Sequence, residues 1–300
     1  MKVGVVGAGS IGLLFAAYLS RRFNVTVYTR TEAQASEINK FGILLKNSGR
    51  TISFVTALPF SEWQGMEDLS IITVKQYQLD DIIGRILQMP AEPENLLFLQ
   101  NGMGHLEKLQ SLAVPNLFVG TIEHGALREN SYTVSHNGFG VTNIAVFRGD
   151  SNQLFRFISS APEEFPFVFK ERYEDMLLNK LIANAVINPL TAILKVENGD
   201  LIENPYYLKV LDSLFTEIAA VLELDNAQSD LERVINICRT TAENRSSMLK
   251  DLEANRLTEI DAILGYILAK ANKQDRKVPL LESLYYIIKG KENGGREVVK

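Results

Sequence analysis

The chain has 300 residues, 46% hydrophobic and 22% charged, which is room for roughly two ordinary globular domains and too apolar for a disordered chain. Its 31 Lys and Arg against 36 Asp and Glu leave a formal net charge of −5, divided as −2 up to residue 168 and −3 beyond it, so neither half is a basic surface for nucleic acid or anionic lipid. The single cysteine, Cys238, excludes an internal disulfide and fits a reducing cytoplasm.

The first element is ambiguous by hydropathy. Between Lys2 and Arg21 lie 18 residues without a charge, VGVVGAGSIGLLFAAYLS, the length of a membrane span or signal segment. Gly4, Gly7, Gly9 and Gly12 would weaken a spanning helix, whereas Val3–Val6 has β-branched strand chemistry and Ile11–Leu19 is helical in composition. Strand, glycine turn and helix is the economical parse. Gly7, Gly9 and Gly12 then satisfy G-x-G-x-x-G in the context that the motif requires, after a strand and opening a helix. The first glycine permits the tight turn, the second lets backbone approach a pyrophosphate, and the third lets helix pack on strand. The helix N-terminus adds unpaired N–H groups and a favourable dipole.

A second strand, Asn24–Thr29, ends at Arg30. An acidic residue near this point takes the ribose hydroxyls of NAD, whereas a guanidinium suits the 2′-phosphate of NADP. Arg30 as a solvated strand-end residue, and Glu32 turned inward for NAD, are the competing readings. Further strands are expected at Ile52–Ala57, Leu69–Val74, Asn95–Gln100 and Leu117–Ile122, with a helix over Gln78–Gln88 between two of them. This alternation predicts a doubly wound, mostly parallel α/β sheet of Rossmann type. Residues 132–147 read as a hairpin turning at Asn137-Gly138 that extends the sheet edge antiparallel, and Phe167–Lys170 as a last short strand.

Beyond that the texture is helical: Tyr173–Leu194, Tyr206–Leu222, Leu231–Cys238 and Glu259–Lys273 are long apolar-periodic stretches. The expected division is a nucleotide-binding domain over 1–168 and an all-α domain over 169–300, with fraying over Glu292–Lys300. In NKLIANAVINPLTAIL, Lys180, Asn184 and Asn188 recur every four residues and form one polar stripe on an otherwise apolar helix, ended or kinked after Asn188 by Pro189. The stripe is either a solvent face or the lining of a binding site, and its single charge distinguishes it from most solvent faces. Lys75 and Asn101 follow successive predicted strands, at the sheet end where α/β folds bind ligands. Taken alone, Ser247 reads as a helix cap and Glu259 as one more exposed carboxylate. His105, His124 and His136 lack metal-ligand spacing and no metal is expected; Cys238, in an apolar helix, reads as core.

Taken together these segments resemble the 2-dehydropantoate 2-reductase (ketopantoate reductase) family over nearly the whole length: GAGSIG at 7–12, TVK ending at Lys75, QNGMG at 100–104, EHG at 123–125, KLIANAVINPLTAI at 180–193, NG at 198–199, and SSML followed by TEID. The resemblance implies NADPH-dependent reduction of 2-dehydropantoate to pantoate in pantothenate (vitamin B5) and coenzyme A synthesis, by a cytoplasmic monomer or homodimer with no nucleic-acid or membrane partner. It implies Lys180 as proton donor and Glu259 as a catalytic carboxylate near substrate and ribose. Asn184, Asn188, Asn198 and Ser247 then match substrate-binding positions, and Asn101 one shared between substrate and cofactor. The loop Gly7, Ala8, Gly9, Ser10, Ile11 and Gly12 matches NADP(H)-binding positions, as do Arg30, Lys75 and Gly125. EHG departs from the family's usual threonine-rich lead-in to the histidine. A lysine on a partly apolar helix suits protonation of the forming alkoxide. The alternatives are a related NADP-dependent reductase of another branched 2-oxo acid, or a non-catalytic NADP(H) sensor, which has no need of Lys180.

Overall fold

The computed structural model describes residues 1–294, which separate into two compact units: one of residues 1–100 and 105–176, the other of residues 101–104 and 177 onward. In the first, strands β1 (Lys2–Val6), β2 (Asn24–Thr29), β3 (Ile43–Lys46), β4 (Arg50–Ser53), β5 (Thr56–Pro59), β6 (Leu69–Ile72), β7 (Asn95–Phe98), β8 (Asn116–Ile122), β9 (Gly125–Arg128), β10 (Thr133–Gly138), β11 (Thr142–Arg148) and β12 (Phe167–Phe169) alternate with α1 (Ser10–Leu19), α2 (Glu32–Phe41), α3 (Leu79–Leu87), α4 (His105–Gln110) and α5 (Asn152–Ser160). The main sheet runs β12-β11-β8-β7-β6-β1-β2-β5. Strands from β8 to β5 are mutually parallel, and β11 joins antiparallel to β8. This is the doubly wound α/β sheet expected.

A second sheet, β4-β3-β10-β9, was not foreseen from sequence, and it explains the uncharged N-terminus. Helix α1 packs on β1 and β2 on one side and on β3, β9 and β10 on the other, so Gly12–Leu19 are all buried. An apolar helix without a polar face is what two covering sheets require. Phe15 and Tyr18 continue this packing against Phe165, edge-to-face at 5.1 Å and stacked at 4.6 Å.

Two strand expectations are corrected by the second sheet. Ile52–Ala57 is not one strand, because β4 pairs with β3 in the small sheet and β5 with β2 in the large one. Asn137-Gly138 is not a hairpin turn: Gly138 pairs with Gly125 at a bulge inside the β10–β9 ladder, and β11 crosses to the main sheet. The antiparallel strand at the sheet edge is therefore present, but β10 and β11 do not pair with each other.

The second unit is helical: α6 (Tyr173–Leu194, which begins in the first unit), α7 (Asp200–Glu203), α8 (Pro205–Leu222), α9 (Ala227–Thr240), α10 (Ser247–Glu253), α11 (Tyr266–Lys273) and α12 (Pro279–Gly294). Asn204 and Asn226 cap α8 and α9 by accepting the N–H groups of Tyr206 and Ser229, and Pro205 sits at N1 where its missing donor is harmless. Leu181, Val186, Leu211, Phe215, Ile263 and Leu281 join in one core, with Cys238 buried among them and its thiol pushed up to about 11 by burial. Pro189 does not end α6. The proline removes one backbone donor, yet the helix continues to Leu194, with Thr191 Oγ1 donating to the Ile187 carbonyl at 2.8 Å. By length and composition α6 could cross a membrane, but most of it is buried in protein. Glu292 does not fray; it is buried in the last helix, and of the expected frayed tail residues 295–300 lie outside the described residues.

Candidate active site

The glycine turn lies at the carboxyl end of β1, beside those of β2 and β6. Gly7 has φ +106°, which a side chain would strain, and Thr73 Oγ1, just past β6, donates to its carbonyl at 2.9 Å. A Cβ on Gly12 would lie 1.7 Å from that same carbonyl, so only glycine lets α1 start this close to the strand. Gly9 differs, since a Cβ there meets nothing within 4 Å among the described residues. It is the N-cap of α1 and offers no side-chain acceptor, so the first-turn N–H groups receive no side-chain cap from it. The turn thus fits a dinucleotide pyrophosphate: a tight glycine cradle, an open approach and helix donors.

Neighbouring residues hold the turn that motif reading passed over. The Ala8 carbonyl accepts from Gln34 Nε2 at 3.0 Å and from the Arg128 guanidinium at 3.3 Å, while Ser10 Oγ accepts the Arg128 backbone N–H at 3.0 Å. Their only sequence signal is position, on the helix and strand that flank the loop. Ile11 is packed against the apolar core. Arg30 is exposed directly after β2, and Thr31 begins α2 by capping Gln34. Glu32 is drawn into that first helical turn, where a carboxylate complements the helix dipole. Lys75 is half-buried two residues beyond Thr73.

This geometry separates two glycine substitutions. Gly12→Ala should prevent a stable first unit, seen as aggregation or loss of the cooperative thermal transition, because backbone would have to move. Gly9→Ala should fold with a Tm near wild type, yet bind NADPH about tenfold or more weakly, because its methyl occupies the open approach. Isothermal titration with NADPH checks the second.

Gly125 opens β9 against Gly138, immediately after a buried histidine relay. Tyr18 O–H lies 2.9 Å from His136 Nδ1; His136 Nε2 lies 3.2 Å from His124 Nδ1, which also accepts the Gly140 N–H at 3.3 Å. The bonds of the chain are consistent with His136 protonated on Nε2 and His124 accepting on Nδ1, which leaves His124 Nε2 buried with no hydrogen-bond partner among the described residues. Burial first, and His136 second, lower His124 to about 4; burial also lowers His136. His105, fully buried and without a hydrogen-bond partner among the described residues, is lowered to about 4 by burial alone. These groups bind protons more readily unfolded than folded, so their neutral forms support the fold above pH ~6.5, and that support is lost as pH falls toward 4. For His105 the loss should reach about 3 kcal/mol. A falling Tm between pH 6.5 and 4, with a shallower fall in His105→Leu, is the expected result in scanning calorimetry.

In the second unit the polar stripe of α6 runs from half-buried Lys180 and Asn184 to buried Asn188 and so is not a solvent face. Asn184 Nδ2 donates to Asn101 Oδ1 at 3.4 Å, and Asn101 Nδ2 donates to Glu259 Oε2 at 2.8 Å. Three residues distant in sequence thus form one hydrogen-bonded row beside Lys180. Gly102 places Asn101 there: it has φ +80°, and a Cβ would fall 2.0 Å from the Ala262 carbonyl. Asn198 is buried, with its N–H on the Asn244 carbonyl at 3.0 Å, its Nδ2 on Thr241 Oγ1 at 2.9 Å and its Oδ1 without a partner among the described residues.

The reading of Ser247 as a helix cap is corrected. Ser246 caps α10, its Oγ accepting the Leu249 N–H at 3.1 Å and meeting Thr191 Oγ1 at 2.8 Å. Ser247 occupies the next position with its side chain exposed. Thr191 lies three residues after Asn188, so the Thr191–Ser246 bond ties that part of α6 to the start of α10.

Comparison with known proteins matches the same two stretches. Residues 3–149 match the family model described as "Ketopantoate reductase PanE/ApbA", and residues 172–292 match "Ketopantoate reductase PanE/ApbA C terminal". The 2-dehydropantoate 2-reductase of Bacillus subtilis (strain 168) is 39% identical over 300 residues, covering 99% of this chain and 100% of that one. The protein of the same name from Listeria innocua serovar 6a is 40% identical over 302 residues, covering 99% of each. A crystal structure of the probable 2-dehydropantoate 2-reductase panE from Bacillus subtilis superposes with TM-score 0.89 at 39% identity, covering 97% of this chain and 100% of that one.

Proposed function

The chain belongs to the ketopantoate reductase family, and on that premise we propose how its own residues carry out NADPH-dependent reduction of 2-dehydropantoate to pantoate in pantothenate biosynthesis. The observation that carries the site assignment is the row Asn184–Asn101–Glu259 beside Lys180 on α6. A 2-oxo acid with a free hydroxyl needs an acid for the ketone oxygen, donors for its carboxylate and an acceptor for its hydroxyl. These residues supply that set.

Residues 1–168 are the cofactor-binding part of this scheme and 169–300 the substrate part, with Asn101 serving both. Gly7–Gly12 would hold the pyrophosphate through backbone N–H groups, the open side of Gly9 allowing the approach. Arg30 and Lys75 would hold the phosphate-bearing adenosine end, and Gly125 would offer its backbone to the nicotinamide part. NADPH, when bound, supplies the hydride that adds to the C2 ketone.

Lys180 holds the proton for the ketone oxygen and donates it as negative charge develops there. Asn184, Asn188 and Asn198 offer neutral amide groups to the substrate, orienting it without adding charge beside the lysine. Ser247, free of capping duty, donates to the substrate carboxylate. Glu259 accepts from the substrate hydroxyl, while Asn101 holds its other face. A half-buried acceptor held by Asn101 in this way penalises substrates that lack the hydroxyl.

The test is oxidation of NADPH with a panel of 2-oxo acids. Expected is the highest kcat/KM with 2-dehydropantoate and a loss of about 10²-fold or more for analogues lacking the hydroxyl. No turnover with any member would overturn the enzyme reading; equal turnover with hydroxyl-free acids would overturn the role of Glu259. The same preparations should place the protein in the soluble cytoplasmic fraction, and light scattering decides between monomer and homodimer.

A further inference from the structure

We propose that Glu292, on the last helix, is a positioning residue for Glu259, so that α12 helps determine how tightly the hydroxyl-bearing 2-oxo acid is held. The proposal rests on the reading of Glu259 as the acceptor of the substrate hydroxyl.

Glu259 stands where the chain enters a helix irregularly. Thr258 Oγ1 accepts the Ile260 N–H at 3.2 Å, and the next turn, Asp261–Gly265, is a π-helix rather than an α-helix. Such wide turns are rare and are frequent at functional sites. A segment of this geometry needs holding from outside, and α12 holds it on both sides of Glu259. Before it, Glu292 Oε1 accepts both the Thr258 backbone N–H at 2.7 Å and the Thr258 hydroxyl at 2.6 Å. After it, Asp261 is gripped by Tyr285 O–H at 2.7 Å and by Lys289 Nζ at 2.9 Å. Lys289 also pairs with Glu292 Oε2 at 3.2 Å, which joins the two grips into one network.

The Glu292 side chain is only 2% exposed. A carboxylate buried to this degree is a poor means of stabilising a fold, since an apolar residue of similar size usually does as well or better. What it supplies is two short charge-assisted hydrogen bonds to the residue next to Glu259. Asn101 orients the Glu259 carboxylate at one oxygen; Glu292, through Thr258, fixes the backbone from which that side chain extends.

The experiment compares steady-state kinetics of Glu292→Ala, Glu292→Gln, Thr258→Val and Glu259→Gln in the full-length enzyme, with 2-dehydropantoate varied and NADPH saturating. Glu292→Ala should raise KM for the 2-oxo acid about tenfold or more, because Thr258 loses both bonds, while NADPH affinity changes by a clearly smaller factor, since most of its contacts lie in the glycine turn and at Arg30 and Lys75. Glu292→Gln retains an oxygen that can accept both bonds and should restore KM to within about threefold of wild type. Thr258→Val keeps the backbone bond, loses the hydroxyl and should raise KM by about fivefold; it decides the matter if Glu292→Ala does not fold. Folded Glu292→Ala or Thr258→Val with wild-type KM overturns the proposal. A wild-type KM in Glu259→Gln overturns instead the reading on which the proposal rests.

Discussion

Replacing Lys180 by alanine should lower kcat by about 10²–10⁴-fold, the range expected when a positioned general acid is removed, and leave NADPH affinity within about threefold of wild type. The split follows from where Lys180 stands. It lies on α6 in the second unit, whereas the glycine turn, Arg30 and Lys75 belong to the first. A transferred hydride makes the ketone oxygen strongly basic, and without the ammonium that charge must be met by water or left unneutralised. Asn184 and Asn188 can hydrogen-bond the substrate but cannot give up a proton at neutral pH. Stopped-flow measurement of NADPH oxidation, with NADPH binding followed by fluorescence, separates the two quantities. If NADPH affinity collapses while the bound enzyme still turns over at the wild-type rate, Lys180 is a cofactor residue and not the acid.

The sequence was most legible where one local physical rule sufficed. Strand, glycine turn and helix at residues 2–19 follow from steric freedom at three glycines and from β-branched against helical composition. The long helix Tyr173–Leu194 follows from its periodicity, which outweighed the single lost donor at Pro189. The second sheet was illegible because its strands are short and pair across long separations: β3 and β10 are joined through Leu44–Thr133 and Lys46–Ser135. No local pattern announces which of two sheets a strand will join, so Asn137-Gly138 imitated a hairpin. The absence of a polar face on α1 was the one available hint, and only a second covering layer accounts for it.

The site divides along the same line. The stripe of α6 was visible as spacing, but the bonds from Asn184 to Asn101 and from Asn101 to Glu259 join residues 83 and 158 positions apart. A motif could nominate those residues separately and could not join them. The supports Gln34, Arg128 and Glu292 carry no motif, being ordinary polar residues whose role comes from what the fold brings near them. Ser246 and Ser247 show the finer limit, since either could cap a helix, and which one does is decided by the bond to Thr191.

The cofactor preference makes the second strong test. Arg30 follows β2 as an exposed guanidinium, and Glu32, the carboxylate that would otherwise speak for NADH, sits in the first turn of α2. A guanidinium can bind a 2′-phosphate with two charge-assisted hydrogen bonds, a contact NADH does not offer. Each is worth about 1.5–3 kcal/mol at most, and solvent screening at an exposed side chain reduces the pair to about 1.5–3 kcal/mol together, so Arg30→Ala should raise KM for NADPH by about 10–100-fold. KM for NADH should change by less than about threefold, because its ribose presents no phosphate to lose. Raising salt should also weaken NADPH binding in the wild type more than in Arg30→Ala, since an exposed ion pair is screened. Initial rates with each nucleotide at saturating 2-oxo acid read the ratio directly. Equal losses with both nucleotides would mean that Arg30 supports the shape of the turn after β2 rather than the 2′-phosphate.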